Sequence, residues 1–194
     1  KAAPIEIGFN ARYIMDILPL AQLPEAFLTQ AAALLVAELP HGWPTLDDAL
    51  EEVREALEPS RTAFAAVEGP TLVGWIGSIP SYDDHVWEMH PLAVCRDRQR
   101  RGVGRALVEY LEAAAREAGV LTIMLGTDDQ HGQTSLAGQD LYPDPLAAVA
   151  AITNPGGHSY EFYLRCGYVL VGVVPDANGF GQPDILMAKR ILAG

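Results

Sequence analysis

Gln99-Arg100-Arg101-Gly102-Val103-Gly104 marks the point at which the hydrophobic period of the chain changes. The apolar run from His85 to Cys95 before it is typical of a half-buried β-strand. After it, apolar residues recur at helical spacing as far as Gly119. They are Val103, Ala106, Leu107, Tyr110, Leu111 and Ala114. The sequence therefore predicts a strand, a glycine-containing turn and an amphipathic helix in direct succession.

Strands on both sides of this unit extend it into a sheet. Leu121–Leu125 has the composition of a buried strand, which completes a β-α-β unit. Upstream, the strand-like runs Arg61–Val67 and Thr71–Ile79 are joined by Gly69-Pro70, which favours an antiparallel hairpin. Downstream, Tyr168–Val174 and Ile185–Ala188 are expected to be the last strands. We expect an α/β (α+β) fold with a mixed, mostly antiparallel sheet.

Helices and one long loop account for the rest of the chain. Pro24 begins one predicted helix, and Thr45 caps another. The loop Gly126–Gly157 is rich in Asp, Gln, Gly and Pro, and a loop of this length is usually functional. The predicted helices span Pro24–Glu38, Leu46–Glu58, a short run near Leu146–Ile152, and Ser159–Cys166.

Size and charge limit the classes of function. A chain of 194 residues with 49% hydrophobic content suits one domain, residues 1–194. No apolar run approaches the ~20 residues of a membrane span, and Lys1-Ala2-Ala3-Pro4 shows no signal core, so a cytoplasmic protein is expected. A net charge of −12 argues against nucleic acid as a partner. The five histidines lack zinc-site spacing, and Cys95 and Cys166 suit buried free thiols.

The basic residues are concentrated in the segment around the turn. Five of the 13 Lys and Arg lie between positions 96 and 105. An acidic protein with one basic segment suggests two ligands of opposite charge, although a solvated charged turn is the usual explanation of such a run. The five are Arg96, Arg98, Arg100, Arg101 and Arg105.

The turn has the properties of a phosphate-binding loop. Its glycines let main chain approach a ligand closely, and the free N–H groups at the start of the helix point at an anion. A P-loop would end in Gly-Lys-Ser/Thr, and a dinucleotide fingerprint would need a third glycine where Leu107 stands. The remaining pattern, Gln-x-x-Gly-x-Gly, resembles the pyrophosphate loop of the GNAT superfamily of acyl-CoA N-acyltransferases. An ordinary strand-to-helix turn is the alternative.

Five further blocks between Trp43 and Arg190 sharpen the resemblance. In this order they closely resemble the aminoglycoside 6′-N-acetyltransferases of the GNAT superfamily. Cys166 and Gln182 depart from the residues common there, Leu and Lys. The blocks are Trp87–Leu92, Leu125–Asp129, Asp140–Tyr142, Tyr160–Tyr163 with Cys166–Tyr168, and Gly172–Gly179 with Pro183–Ile185 and Met187–Lys189.

The resemblance implies a GNAT sheet splayed near its middle and direct acetyl transfer in a ternary complex. Acetyl-CoA is the implied co-substrate, an aminoglycoside the acceptor, and antibiotic resistance the outcome. A homodimer is also implied, and no metal. The alternatives are an enzyme of the same fold acting on a polyamine, a peptide amino terminus or another small amine, and a non-catalytic acyl-CoA-binding or drug-sequestering module. The residues implied at the cofactor are Leu92, Val94, Gln99, Arg100, Arg101, Gly102, Val103, Gly104, Arg105 and Tyr163.

Four residues are candidates for catalysis. A thioester is attacked by a neutral amine, so a carboxylate must hold the protonated amine and accept its proton; by resemblance this is Glu88. His90 lies two residues on and shares its face of an extended strand. A strand N–H freed by a bulge can stabilise the oxyanion, and Leu92 is the candidate because Pro91 cannot donate. Tyr163 matches the position that protonates the leaving thiolate. Solvated or core positions are the alternatives for Glu88, His90 and Tyr163.

A polycationic sugar also needs acidic residues around it. Asp128 is the first choice, because its strand is predicted to lie beside that of Glu88. Trp43 is a candidate for stacking on a sugar ring, although it also suits plain packing. Asp176 and Asp184 are expected to brace the last hairpin. The substrate-binding candidates are Trp43, Glu88, Asp128, Asp129, Asp140 and Asp144.

Overall fold

The computed structural model describes residues 15–192, and they form one seven-stranded sheet flanked by helices. The strand order is β1-β2-β3-β4-β5-β7-β6, and every neighbouring pair is antiparallel except β4 with β5. The strands are β1 Met15–Pro19, β2 Thr62–Glu68, β3 Thr71–Ser81, β4 Val86–Val94, β5 Thr122–Asp128, β6 Val169–Val174 and β7 Asp184–Arg190. The helices are α1 Glu25–Glu38, α2 Leu46–Glu55, α3 Val103–Glu117, α4 Pro145–Ala150 and α5 Tyr160–Arg165.

The predicted β-α-β unit is confirmed as β4, α3 and β5. Gly102 precedes α3 with φ +92°, a left-handed conformation that favours glycine. Leu107, Val108 and Leu111 on α3 are fully buried against the sheet. Since the two strands run parallel, α3 is the crossover between them, and the basic turn lies where β4 ends.

Two apolar cores cover the two faces of the sheet. The α3-side core includes Leu107 with Ile123 and Leu125 of β5. The α1/α2-side core includes Leu35 of α1 and Trp75 of β3. Trp75 is fully buried, and its indole N–H donates to the carbonyl of Ala31 at 3.2 Å. Each face of the sheet is therefore packed against its own core.

Most element boundaries agree with the prediction to within about two residues, and the main differences are the following. Helix α2 begins after the Thr45 cap but ends at Glu55, because the N–H groups of Leu57 and Glu58 bond to the carbonyls three residues earlier in a tighter turn. Pro24 is the N-cap of α1 rather than its first residue. Strand β5 continues three residues beyond Leu125, as far as Asp128.

Strand β1 was not predicted, because its five residues carry a weak signal on their own. It pairs with β2 in antiparallel register, from Met15↔Glu68 to Pro19↔Phe64.

Three further expectations concern the ends of the chain, its cysteines and its helices. Lys1–Pro4, in which no signal core was expected, lie outside the described residues. Cys95 and Cys166 are partly buried free thiols. Among the helices within residues 15–192, none has the length and hydrophobicity to cross a bilayer.

Candidate active site

A cleft opens between β4 and β5. The two strands pair only from Val86↔Thr122 to Glu88↔Met124. Beyond these positions β4 stays with β3, and β5 stays with β7 to its last residue. The predicted splay of the sheet is confirmed, and it begins at Glu88.

A bulge in β4 reverses which face of the sheet its alternate side chains point to. Ile76 pairs with Leu92 and Ser78 with Met89, so Gly77 of β3 lies opposite two residues of β4. Met89 belongs to the α3-side core, whereas Ala93, four residues later, belongs to the α1/α2-side core. Strict alternation would put both on one face, so the extra residue exchanges the faces. Glu88 and Leu92 consequently point to opposite sides of the sheet.

The main chain of Leu92 and Val94 points into the cleft. The N–H of Cys95 donates to the carbonyl of Val73 at 2.9 Å. Because opposed residues of antiparallel strands alternate between bonded and non-bonded pairs, Leu92↔Ile76 and Val94↔Gly74 are non-bonded pairs. Their N–H groups face away from β3, towards the side from which β5 has diverged.

The turn after β4 presents main-chain donors at the same end of the cleft. The Ala106 N–H bonds to the Gly102 carbonyl at 3.0 Å, so the N–H groups of Val103, Gly104 and Arg105 have no carbonyl one turn earlier. Gln99 anchors the turn by donating from Nε2 to the Val94 carbonyl at 3.0 Å. These free donors and the positive end of the α3 dipole suit a diphosphate.

The five arginines divide into two groups. Arg96 and Arg98 are engaged by carboxylates: Arg98 Nε lies 3.0 Å from Glu68 Oε2, and Arg96 lies within 3.9 Å of Glu38. Arg100, Arg101 and Arg105 are exposed and form no ion pair within residues 15–192. Arg105 donates from Nη2 to the Arg165 carbonyl at 3.2 Å, so Arg100 and Arg101 are the more available to an anionic ligand.

Tyr163 lies on the α3 side, next to the start of α3. Phe162, the neighbour of Tyr163 on α5, lies close to Gly104: a Cβ added to Gly104 would be 3.3 Å from the Phe162 Cζ. The Tyr163 ring packs against Phe162 and Tyr168, with centroids 5.0 Å and 6.1 Å away. Tyr163 is half-buried, and desolvation raises the pKa of its hydroxyl above the ordinary value, so the hydroxyl is a neutral donor. No hydrogen bond to that hydroxyl is formed within the described part of the chain.

Three carboxyl groups share the opposite face. Glu88 pairs with Met124 of the parallel strand, so Glu88, Met124 and Asp128 have their side chains on one side. Asp184 is the cross-strand partner of Asp128 and joins them. This side is the α1/α2 face, because Ile123, the neighbour of Met124, belongs to the α3-side core.

His90 and Trp43 border the acidic face. Their rings are 5.4 Å apart between centroids. His90 Nε2 lies 3.5 Å from Glu52 Oε2 on α2, and Glu52 also pairs with Arg61. Trp43 is half-buried and packs against the α1/α2-side core. The prediction that Glu88 and His90 share a face agrees with these contacts.

The other acidic candidates are placed differently. Asp129 is wrongly predicted as a ligand: it is 0% exposed, and its two oxygens accept the N–H groups of Gln133 and Thr134, both at 2.7 Å. It organises the loop after β5. Asp144 caps α4 by accepting the Ala147 N–H at 3.0 Å. Helix α4 packs on β6, two strands from β5, and the substrate-binding role of exposed Asp144 stays a prediction.

The substrate-binding role of Asp140 stays a prediction. It is exposed, and one carboxylate oxygen accepts the N–H of Tyr142 at 3.2 Å, while the other is free within residues 15–192. Asp176 braces the last hairpin as expected, since its carboxylate accepts the Gly181 N–H at 2.6 Å.

Some residues that build the acidic face were not found from the sequence. Buried His158 donates its Nε2–H to the Asp128 carbonyl at 2.9 Å, and Asn178 donates to the Asp128 carboxylate. His158 and Asn178 lie far from β5 in sequence, so no local pattern connects them with it. Asp184 was assigned to the hairpin alone, because its strand was predicted to begin one residue later.

A loop contact encloses this side of the cleft. His41, between α1 and α2, lies 5.2 Å from His131 between ring centroids. His131 follows β5 on the long loop, so the two loops meet. Within residues 15–192, no group of three or more His, Cys, Asp or Glu is arranged to hold a metal ion.

The comparisons with known proteins agree with this geometry. Residues 28–137 match the model of the acetyltransferase (GNAT) family, which covers more than half of the chain. The chain belongs to the GNAT family of acetyltransferases. The turn after β4 and the splay at Glu88 lie inside the matched residues. A search of curated proteins finds no match.

Solved structures of this GNAT protein's relatives extend the likeness over the full domain. An aminoglycoside 6′-N-acetyltransferase complexed with coenzyme A is 42% identical, with a TM-score of 0.88, over 92% of this chain and 98% of that one. The enzyme of that name from Enterococcus faecium is also 42% identical, with a TM-score of 0.84 and the same coverage. An aminoglycoside 6′-acetyltransferase of type Ii is 37% identical, with a TM-score of 0.70, over 93% and 99%.

Proposed function

We propose that this GNAT protein transfers the acetyl group of acetyl-CoA directly to the 6′-amino group of an aminoglycoside. The observation that carries the proposal is the cleft between β4 and β5, which has free main-chain donors on one side and three carboxyl groups on the other. The names of the relatives, at 42% identity, support the same substrates.

The residues of the α3 side fit coenzyme A. Gly102 has nothing within 4 Å of where a Cβ would stand, so main chain is open to a ligand there. The N–H groups of Val103 and Gly104 would hold the diphosphate, with Arg100 and Arg101 adding positive charge. Gln99 and Val94 would line the path from the diphosphate to the cleft. When bound, acetyl-CoA supplies the activated acetyl group as a thioester.

Glu88 would hold the ammonium group of the sugar and accept its proton. It lies where β4 and β5 separate, so a ligand in the cleft reaches it from the α1/α2 face. No hydrogen bond within residues 15–192 engages its carboxylate. Asp128, on the neighbouring strand, would bind a second ammonium group, and Asp140 a further one. Trp43 and His90 would border the sugar ring.

Leu92 and Tyr163 would act on the acetyl side. The Leu92 N–H points into the cleft and would donate to the acyl oxygen as negative charge develops on it. The Tyr163 hydroxyl is neutral, and desolvation raises its pKa further, so it would donate to the departing sulfur. Neither Cys95 nor Cys166 is part of this arrangement, which favours direct transfer over an acyl-enzyme.

We further propose that the enzyme works in the cytoplasm as a homodimer and that acetylation confers aminoglycoside resistance. The dimer has structural support at the sheet edge formed by β6. That strand has an unpaired side with exposed valines, Val169 at 59% and Val171 at 54%. It also borders an apolar groove of about 460 Å³ next to α4 and α5. Light scattering at micromolar concentration tests the dimer.

A thiol-release assay tests the proposed reaction. Kanamycin, spermidine and a peptide with a free amino terminus are each supplied with acetyl-CoA. We expect turnover with kanamycin at least ~100-fold above the other two in kcat/KM, because only kanamycin combines several ammonium groups for the acidic face with a sugar ring for Trp43 and His90 to border. Absence of turnover with every aminoglycoside would overturn the proposal and leave the GNAT assignment intact.

A further inference from the structure

Asp184 lies in the β6–β7 hairpin, where it pairs with Val174, and it also borders the acceptor side of the cleft. It opens β7 directly opposite Asp128. Its carboxyl group reaches over Gly126 of β5, where an added Cβ would lie 2.8 Å from Asp184 Oδ1. Only a glycine leaves room for it. The side chain therefore crosses β5 in the direction of β4 and Glu88.

The surroundings of this carboxyl group are unusual for an aspartate. Oδ1 is buried and accepts no hydrogen bond within residues 15–192. The charged groups that face it are carboxylates, Asp128 from β5 and Glu88 from β4. These carboxylates raise the pKa of Asp184, whereas a hydrogen bond from the Thr127 N–H of β5 lowers it. No Lys or Arg in the described chain lowers it. Asn178 and His158, the other polar neighbours of this face, bond to Asp128.

Asp176 shows what a hairpin brace looks like in this protein. Its carboxylate accepts the N–H of Gly181 at 2.6 Å within the turn between β6 and β7. Asp184 has no such partner in the turn. A carboxyl group with one buried oxygen that accepts no hydrogen bond, and with no cation nearby, carries a cost in stability, which is typical of a residue retained for function.

We propose that Asp184 is a positioning residue of the acceptor site: in mildly acidic solution it keeps a proton in part of the molecules while the cleft is empty, and it ionises fully when a polycationic amine enters. The proposal rests on the proposed function. On ionisation the O–H bond of Asp184 breaks, the proton passes to solvent, and no other bond changes. The amine then meets three negative charges, Glu88, Asp128 and Asp184, in place of two.

The electrostatics of the empty cleft support this behaviour. Burial, followed by repulsion from Asp128 and Glu88, raises the pKa of Asp184 to about 6. An ammonium group close to Asp128 or Glu88 would offset that repulsion and lower the pKa. By linkage, a ligand that lowers the pKa of Asp184 binds more tightly where Asp184 is already ionised. Kanamycin binding should therefore strengthen as the pH rises through 6.

Calorimetry in buffers of different ionisation enthalpy tests the proposal directly. Near pH 6 the amines of kanamycin are already protonated, so a released proton comes from the protein. We expect the wild-type protein to release about half a proton more than Asp184→Asn, because roughly half of the Asp184 carboxyls carry a proton at a pH equal to the pKa. Asp16→Asn, an exposed site on β1 at the far edge of the sheet, controls for the change in net charge. Equal release by wild type and Asp184→Asn overturns the proposal.

A pH profile separates positioning from a merely structural role. Asp184→Asn should raise the KM for kanamycin about fivefold or more at pH 8 and leave it within about twofold at pH 5, at unchanged KM for acetyl-CoA. A pH-independent effect would mean a structural role and overturn the proposal. If Asp184→Asn does not fold, Gly126→Ala displaces the carboxyl group and should remove the same proton release.

The result also distinguishes the two proposals. A wild-type protein that neither binds nor acetylates any aminoglycoside contradicts the proposed function. A wild-type protein that acetylates kanamycin, with proton release and pH profile unchanged in Asp184→Asn, contradicts the role of Asp184 alone.

Discussion

Replacing Gly77 by alanine tests whether the bulge in β4 positions the reacting groups. An added Cβ at Gly77 would lie 2.6 Å from the His90 carbonyl oxygen, whereas Cβ contacts below 3.0 Å are essentially never found. The main chain of the bulge must therefore move by at least about 0.4 Å, the difference between these distances. It has no flexible side chain to yield instead. His90 lies between Glu88 and Leu92, so both would shift.

We expect a loss of about 1 to 3 kcal/mol in the free energy of unfolding, as for overpacked core sites. The melting temperature would fall by about 2 to 12 °C, from about 2 to 4 °C per kcal/mol for a chain of this size. The kcat of acetyl transfer would fall about 10- to 100-fold, since a displacement approaching 1 Å near the chemistry has that effect. Thermal unfolding and the thiol-release assay measure the two changes.

Gly172→Ala is the matched control for this substitution. Gly172 is a buried strand glycine whose added Cβ would meet only Leu186 Cδ1, at an ordinary 3.7 Å. It should keep both the kcat and, within about 1 kcal/mol, the stability of the wild type. A Gly77→Ala protein indistinguishable from Gly172→Ala in both measurements would refute the role assigned to the bulge.

Four other changes have expected outcomes. Glu88→Gln should lower kcat by about 10²- to 10⁴-fold while calorimetry shows an unchanged Kd for coenzyme A; a kcat within twofold would exclude Glu88 as the proton acceptor. Gly102→Ala, at φ +92°, should lower stability by about 1 kcal/mol and weaken coenzyme A binding, whereas Gly119→Ala, at φ +81°, should lower stability alone. Glu112→Ala removes the carboxylate that lies 2.7 Å from the partly exposed Lys189 ammonium group, which keeps the Cys166 carbonyl as a partner, so chemical denaturation should show a loss of about 1 to 3 kcal/mol; a loss below about 0.5 kcal/mol would contradict this. The folded chain holds the Asp184 proton to a higher pH than the unfolded chain, so ionised Asp184 costs stability as the pH rises from about 4 to 6, and Asp184→Asn should raise the melting temperature more at pH 7.5 than at pH 4.5.

The sequence was sufficient for the β4-α3-β5 unit because local signals agree there. Gly102 and Gly104 mark the turn, and the 3.6-residue period after Val103 marks the helix. The splay also followed from the resemblance. Strand β1 did not, since a short edge strand is stabilised mainly by its pairing with β2 rather than by its own residues.

The acceptor side was harder to predict than the phosphate side. The donors around Gly102 come from consecutive residues, whereas the acidic face joins Glu88, Asp128 and Asp184 from three strands. Asp128 and Asp129 look alike in sequence, yet alternation along β5 and the loop after it leaves the first on the open face and buries the second. The difference depends on where β5 ends, and that boundary was placed three residues too early.

A matched pair of aminoglycosides tests the central claim most directly. Neomycin and paromomycin differ in carrying an amino or a hydroxyl group at the 6′ position. In the thiol-release assay with acetyl-CoA, we expect steady turnover of neomycin and one acetyl group added at the 6′ nitrogen by NMR. Paromomycin should give less than about 1% of that rate, since its 6′ position offers no amine to Glu88. Equal turnover of both compounds, or acetylation of neomycin elsewhere, would contradict the site and the reaction assigned to it.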